Sequence, residues 1–443
     1  MNIPILKKVL WVSSGAILGA TLVLGTSVLA RGVVEVENAS SKEINLPLSE
    51  LRSFVEVYER ISKNYVEPIE DKKLFEGAIS GMLSNLDPHS AYLPPKNFKK
   101  MEEHTTGDFG GLGMEVSMED GLVRIVSPID DTPAKRAGIQ AGDLVIKLDE
   151  HRVKGKTLME AIKIMRGKPG TKIKLTILRD GETKPLVLEL TRAIIKTTSV
   201  KQKMLKDDIG YLRISQFQLR TGEDLLKGIK KLEADNGKEL HGLVLDLRNN
   251  PGGVLRAAVD VSDAFLNDGL VVYTEGRLKK SKISFNAEQG DAMHGKPIVV
   301  LINEGSASAS EIVAGALQDH KRALIAGRTS FGKGSVQTLM PLNNGGAIKV
   351  TTARYYTPNG RSIQAKGIDP DIIIERVKIE KLKKTVFDSV KEKDLEGHLE
   401  NDKGPKITSF KDKTVSDLFE KDYELREAFS LLKGMYFAQQ MTP

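Results

Sequence analysis

Serines occupy every second position of Gly305-Ser306-Ala307-Ser308-Ala309-Ser310-Glu311, directly after the apolar run Pro297-Ile298-Val299-Val300-Leu301-Ile302. Further on, Phe331-Gly332-Lys333-Gly334-Ser335-Val336-Gln337 sets one lysine between two glycines. These residue types can perform acyl transfer, with a serine hydroxyl as nucleophile and a lysine amine as its general base. The lysine serves only when neutral, so desolvation must bring its pKa down from about 10.4 by several units. Glycines on either side let the amine approach a partner without side-chain crowding. Val336 to Met340 reads as a strand, whose alternate residues share a face, and Gln337 lies four residues beyond Lys333. A glutamine there can hydrogen-bond the amine without favouring its charged form as a carboxylate would.

Ile298 to Ile302 reads as a buried strand, and Ile312, Val313 and Ala316 recur at helical spacing after it. A serine at that junction meets free backbone N–H groups and a helix dipole, which favour a developing negative charge. The run Ser308-Ala309-Ser310-Glu311 fits a capping box equally well. Composition and spacing do not separate Ser306, Ser308 and Ser310. Gly327 to Lys333 matches the first seven positions of a phosphate-binding P-loop, but Gly334 stands where Ser or Thr is required. A strand rather than a helix follows it, so nucleotide binding is rejected.

Three runs together resemble the carboxyl-terminal processing proteases, also called tail-specific proteases. They are Asp246-Leu247-Arg248-Asn249-Asn250-Pro251-Gly252-Gly253, Ser306 to Ile312, and Phe331 to Gln337. Asp87-Pro88-His89-Ser90-Ala91-Tyr92 and Tyr355 to Ile363 also resemble motifs of that family, and the similarity spans about Leu51 to Glu375. The resemblance implies Ser308 as nucleophile, Lys333 as base and Gln337 as the residue orienting it, on a crotonase-like core. It also implies an oxyanion hole from Ala309 N–H and a glycine of the Asn-Asn-Pro-Gly-Gly turn. Such donors contribute about 3 kcal/mol each. Spacing does not choose between Gly252 and Gly253, and the turn could equally be structural. A noncatalytic PDZ adaptor on a degenerate hydrolase scaffold is the competing reading; the intact Ser308, Lys333 and Gln337 set argues against it.

Gly110-Gly111-Leu112-Gly113-Met114-Glu115-Val116, with Ala137-Gly138-Ile139 and Ala141-Gly142-Asp143 downstream, resembles a PDZ domain. N–H groups around Leu112, Gly113 and Met114 would receive a terminal carboxylate, and the following strand would add a peptide to a sheet edge. Strand residues Leu112, Met114 and Val116 and helix residues Leu158, Met159 and Ile162 are the candidate groove. Elsewhere, alternating strand and helix signals, with Leu243 to Leu247 apolar but for Asp246, indicate a mixed or parallel sheet covered by helices.

The expected architecture is therefore α/β with a PDZ module, a mixed-sheet serine protease core, a helical N-terminal region and a helical C-terminal tail. Residues 1–30 form a leader, 31–104 a spacer and helical region, 105–195 the PDZ domain, 196–375 the core and 376–443 the tail. In the leader, Lys7-Lys8 precedes an apolar stretch to Leu29, and Val28-Leu29-Ala30 offers a cleavage site. Either a cleaved signal or a retained inner-membrane anchor over residues 9–29 sends the body out of the cytoplasm, with the periplasm as the expected location. The chain of 443 residues has no cysteine, which removes disulfides, thiol nucleophiles and a lipidated leader cysteine. Its seven histidines are scattered singly, so no metal site is indicated. The net charge of +7 is spread in short pairs such as Lys72-Lys73, which is no nucleic-acid footprint. No cofactor is implied. The expected partners are protein or peptide substrates held by their carboxyl-terminal regions, a second copy through the helical termini, and an activating adaptor.

Overall fold

A computed structural model describes residues 47–129, 131–288, 290–377, 396–399 and 418–441. The leader and most of residues 378–417 lie outside the described residues. Among the described residues no helix is long and apolar enough to cross a membrane. The chain divides into two compact units, up to Phe75 and from Glu76 onward. In the first, helix Leu48–Asn64 buries none of its residues, and Leu51, Phe54, Val55 and Ile61 lie exposed along it. Tyr58 packs on Phe75 with ring centroids 5.1 Å apart. The helix expected from Leu74 to Leu86 spans Asp71–Ser84 instead, ending before Asp87-Pro88 because the residue before a proline is driven out of the helical region.

The second unit carries the PDZ module and the core. Antiparallel strands Met114–Glu119, Leu122–Pro128, Leu144–Leu148, Lys172–Leu178 and Leu186–Thr191 pair in that order. Along Lys172–Leu178 the inward residues are Ile173, Leu175 and Ile177, as a period of two requires. Helix Leu158–Met165 begins at Thr157, whose hydroxyl accepts Glu160 N–H while Glu160 reaches back to Thr157 N–H, a complete capping box. Strands Asp108–Gly111 and Ala193–Lys196 pair antiparallel and close the module, so the chain enters and leaves it side by side. Asp108 is ion-paired with Arg220 of the core at 2.7 Å.

The core sheet runs Val200–Met204, Ile209–Ile214, Gly242–Asp246, Ile298–Ile302, Leu324–Gly327, Ile372–Ile373. Its first pair is antiparallel and the rest parallel. Gly242–Asp246 and Ile298–Ile302 are buried at every position, because helices cover both faces. Leu243, Leu245, Ile298, Val300 and Ile302 meet helices Thr221–Asn236, Leu255–Asp263 and Ala309–Asp319. The alternate residues Val244, Val299 and Leu301 meet Leu425, Ala428 and Leu432 of helix Tyr423–Met441 on the other face. The helical pattern expected over Leu418 to Phe437 is interrupted at Asp422, whose carboxylate accepts Leu425 N–H at 3.0 Å and starts the longer helix. A second, antiparallel sheet joins Ala91–Leu93, Ala347–Tyr356, Leu270–Gly276 and Ile283–Asn286, with Ser335–Pro341 also paired to Ala347–Tyr356.

Candidate active site

Three neighbouring parallel strands, Gly242–Asp246, Ile298–Ile302 and Leu324–Gly327, end at the same edge of the sheet. The loops leaving them carry Asn249 to Gly253, Asn303 to Ser308 and Arg328 to Lys333. Open parallel sheets bind ligands outside the carboxyl ends of their strands. A cleft of about 450 Å³ opens there, and Ser308, Ala309, Gly252, Gly253, Lys333 and Gln337 all line it.

Ser308 precedes helix Ala309–Asp319 with φ 56° and ψ −112°. A residue bearing a Cβ is strained there by about 1–3 kcal/mol, so the surroundings must hold it. Glu311 does much of that holding. Its buried carboxylate accepts Ser308 N–H at 2.6 Å and Lys333 N–H at 2.9 Å on one oxygen. The other oxygen accepts Ser330 Oγ and Gly332 N–H, both at 2.6 Å. The Glu311 amide donates to the Ser308 carbonyl at 2.9 Å, and its carboxylate on Ser308 N–H completes the reciprocal link of the capping box. The other two serines are committed elsewhere: Ser306 Oγ donates to the Leu247 carbonyl at 2.8 Å, and Ser310 Oγ to the Asn250 carbonyl at 2.9 Å. Both are fully buried, and of the three only Ser308 faces the cleft.

Burial pushes the half-buried Lys333 amine below the usual lysine pKa, and the nearby positive charge of Lys349 pushes the same way. Glu311 and Asp87 oppose them. Tyr355 donates to the Lys333 carbonyl and lies within hydrogen-bond reach of Ser308. Burial drives its own pKa upward, so it stays a neutral donor. Gln337 lines the cleft, but its amide donates to Ser335 Oγ at 2.9 Å and Thr351 Oγ1 at 3.3 Å rather than facing the amine. Thr351 N–H in turn donates to Ser90 Oγ at 3.2 Å, and Ser90 is held by Asp87 at 2.7 Å. The Asp87 to Ser90 turn thus braces the strand behind Gln337.

Gly252 donates its N–H to Asn250 Oδ1 at 2.9 Å. Gly253 N–H and Ala309 N–H have no hydrogen-bond partner among the described residues, so of the two glycines Gly253 is the one whose N–H is open to a ligand in the cleft. Gly252 matters sterically instead. At φ 98°, an added Cβ would stand 2.8 Å from Ser308 Cβ and 2.7 Å from the Ala307 carbonyl oxygen. No group of His, Cys, Asp or Glu suited to a metal ion occurs among the described residues.

The PDZ module has its own groove of about 210 Å³, lined by Leu112, Gly113, Met114, Val116 and Ile162 together with Phe109, Met165 and Arg166. The Leu112 carbonyl accepts Ala134 N–H and the Gly113 carbonyl accepts Ile129 N–H, both at 2.9 Å. Trans peptides therefore turn the Gly113 and Met114 N–H groups the opposite way. Met159 departs from the expectation. It is 72% exposed and off the groove, because helical periodicity leaves it outside the stripe formed by Leu158, Ala161, Ile162 and Met165. Leu158 packs on the module's core instead of the groove. Arg166, whose guanidinium lies 4.3 Å from the Phe109 ring centroid, had no motif to announce it.

Peptidase family S41 matches residues 208–374, PDZ domain residues 110–190, and the activating protease CtpB N-terminal domain residues 12–96. A carboxy-terminal-processing protease of Bartonella bacilliformis is 47% identical over 435 residues, covering 97% of this chain and 96% of that one. Carboxy-terminal processing protease CtpB of Bacillus subtilis is 39% identical over 72% of this chain and 66% of that protein. Among solved structures, a photosystem II D1 C-terminal processing protease is 29% identical, covering 74% of this chain and 93% of that one, with a TM-score of 0.42. The chain is a serine-type endopeptidase carrying a PDZ domain. It belongs to the carboxy-terminal-processing proteases of peptidase family S41.

Proposed function

We propose that the chain is exported, holds protein substrates by their carboxyl-terminal regions in the PDZ groove, and cleaves them with Ser308 and Lys333. Neutral Lys333 takes the Ser308 proton as Oγ attacks the scissile carbonyl. The oxyanion rests on Gly253 and Ala309 N–H, and the lysine ammonium returns its proton to the leaving amine. Lys333 then takes a proton from water, which opens the acyl-enzyme. With its NH2 donating to Ser335 and Thr351, the Gln337 side-chain oxygen is the group that would accept from the amine and steady it. The observation that carries this reading is a serine held at positive φ in the same cleft as a lysine whose burial disfavours its charge. The matched PDZ domain, with a groove lined by Gly113 and Met114, supports terminal recognition.

Periplasmic location, with or without an inner-membrane tether, is supported by the charged and apolar leader. The match over residues 12–96 supports an activating partner, and the exposed apolar residues of Leu48–Asn64 support self-association. A serine-directed fluorophosphonate and a peptide substrate test the chemistry. Ser308→Ala should lose both labelling and turnover, and Lys333→Arg should lose turnover because arginine stays protonated. Full turnover by Ser308→Ala, or by Lys333→Arg, would reject the assignment.

A further inference from the structure

The active-site loops are also joined from behind, by a network that runs from the Asp246 to Gly253 motif to residues of the C-terminal helix that no motif includes. Arg248 sits between strand Gly242–Asp246 and the oxyanion turn. Its guanidinium binds the fully buried Asp246 at 2.7 Å, Asp422 at 2.8 Å and Glu424 at 2.7 Å. Arg328 opens the loop that leads to Lys333. It binds Glu304, on the serine loop, at 2.8 Å and also pairs with Glu424. Glu424 therefore gives one oxygen to each arginine. It lies in the first turn of helix Tyr423–Met441, where Asp422 is the cap, and both negative charges suit that helix end.

The network leads inward by short steps. Asn249, next to Arg248, donates its N–H to Asn303 Oδ1 at 2.8 Å, which joins the oxyanion turn to the serine loop. Asn250 accepts Gly252 N–H on its side chain and Ala307 N–H on its carbonyl, both at 2.9 Å. Glu424 itself does not line the cleft. Burying ion pairs gains little stability over apolar packing, whereas a chain of them can fix one geometry. Burial raises the pKa of Asp246, but its bonds to Arg248 outweigh that and hold the carboxyl below its ordinary value. Arg328 holds the Glu304 carboxyl down to about 2.

We infer that Glu424, by bridging Arg248 and Arg328, is a positioning residue that makes the C-terminal helix set the spacing of the oxyanion turn and the lysine loop. The inference rests on the serine–lysine reading above. Three full-length proteins test it: wild type, Glu424→Gln, and Leu432→Ala, which loosens the same helix through its apolar face without touching the network. Coupling through such a network is worth about tenfold in rate. Glu424→Gln should lower kcat on a peptide and the rate of fluorophosphonate labelling by about that factor, with KM unchanged. Leu432→Ala should lower Tm more and kcat less. If Glu424→Gln does not fold, Glu424→Asp keeps the charge but is too short to bridge, and should show the same kinetic loss. Labelling and turnover at wild-type rates in the Glu424 variant would overturn the inference. So would equal slowing in the two variants in proportion to their loss of Tm. A wild-type protein that turns over peptide without labelling Ser308 would remove the underlying reading, and this inference with it.

Discussion

Replacing Glu311 by Gln tests the site at the point where its two loops meet. Each carboxylate oxygen accepts two donors, and the replacement turns one oxygen into an NH2 that accepts none. Seated where Ser330 and Gly332 donate, the NH2 lets the Ser330 hydroxyl rotate to accept it, so only Gly332 N–H is orphaned. Seated on the other side, it orphans both Ser308 and Lys333 N–H. The first arrangement is the cheaper, at about 1–3 kcal/mol for one unsatisfied buried donor. Were about 2 kcal/mol of that to appear in the barrier, kcat would fall by roughly thirtyfold. The substitution has a second, signed effect. The carboxylate favours protonated Lys333, so removing its charge lowers the lysine pKa further. Because the proposed base must be neutral, the acid limb of the pH–kcat profile should move to lower pH even as the plateau drops. Turnover of a peptide across pH, with Tm measured alongside, gives both readings. A variant with wild-type kcat, or with its acid limb moved to higher pH, would refute the reasoning.

Lys349→Met should act with the opposite sign. Losing that neighbouring charge raises the Lys333 pKa, so turnover near neutrality falls and recovers at higher pH; an unshifted profile would show that Lys349 does not act on the base. For substrate capture, full-length Ser308→Ala titrated with a peptide ending in small apolar residues should bind the free acid more tightly than its amide. Equal affinities would place recognition outside the Gly113 and Met114 loop.

Much of the core was legible because Ile298 to Ile302 are apolar at every position and Leu243 to Leu247 at all but Asp246, the pattern of a doubly covered strand. The PDZ module was legible from glycine spacing. The roles of Ser306, Ser310 and Glu311 were not. Local spacing sees a repeated serine and a helix cap, whereas partners 60 and 59 residues away decide which hydroxyl is spent on a carbonyl. Likewise Gly252 and Gly253 are identical neighbours until the Asn250 side chain takes one N–H. Met159 misled because its apolar type alone does not tell which side of a short helix faces the groove. The link from Arg248 to Glu424 spans 176 residues and has no periodic signature at all.

The paired strands Asp108–Gly111 and Ala193–Lys196 make the PDZ module a cassette. Its two ends meet at one neck, so none of the core's strand order depends on what lies between them. Gly107 accepts Thr197 N–H at 3.0 Å just outside that neck, and Leu219 N–H reaches Thr105 at 3.0 Å. On the proposed reading, in which the module holds the substrate, its preference can therefore drift without rethreading the core sheet. A graft that preserved the neck, with Asp108 on Arg220 and Arg166 on Glu103, would leave the core sheet and its loops as they are.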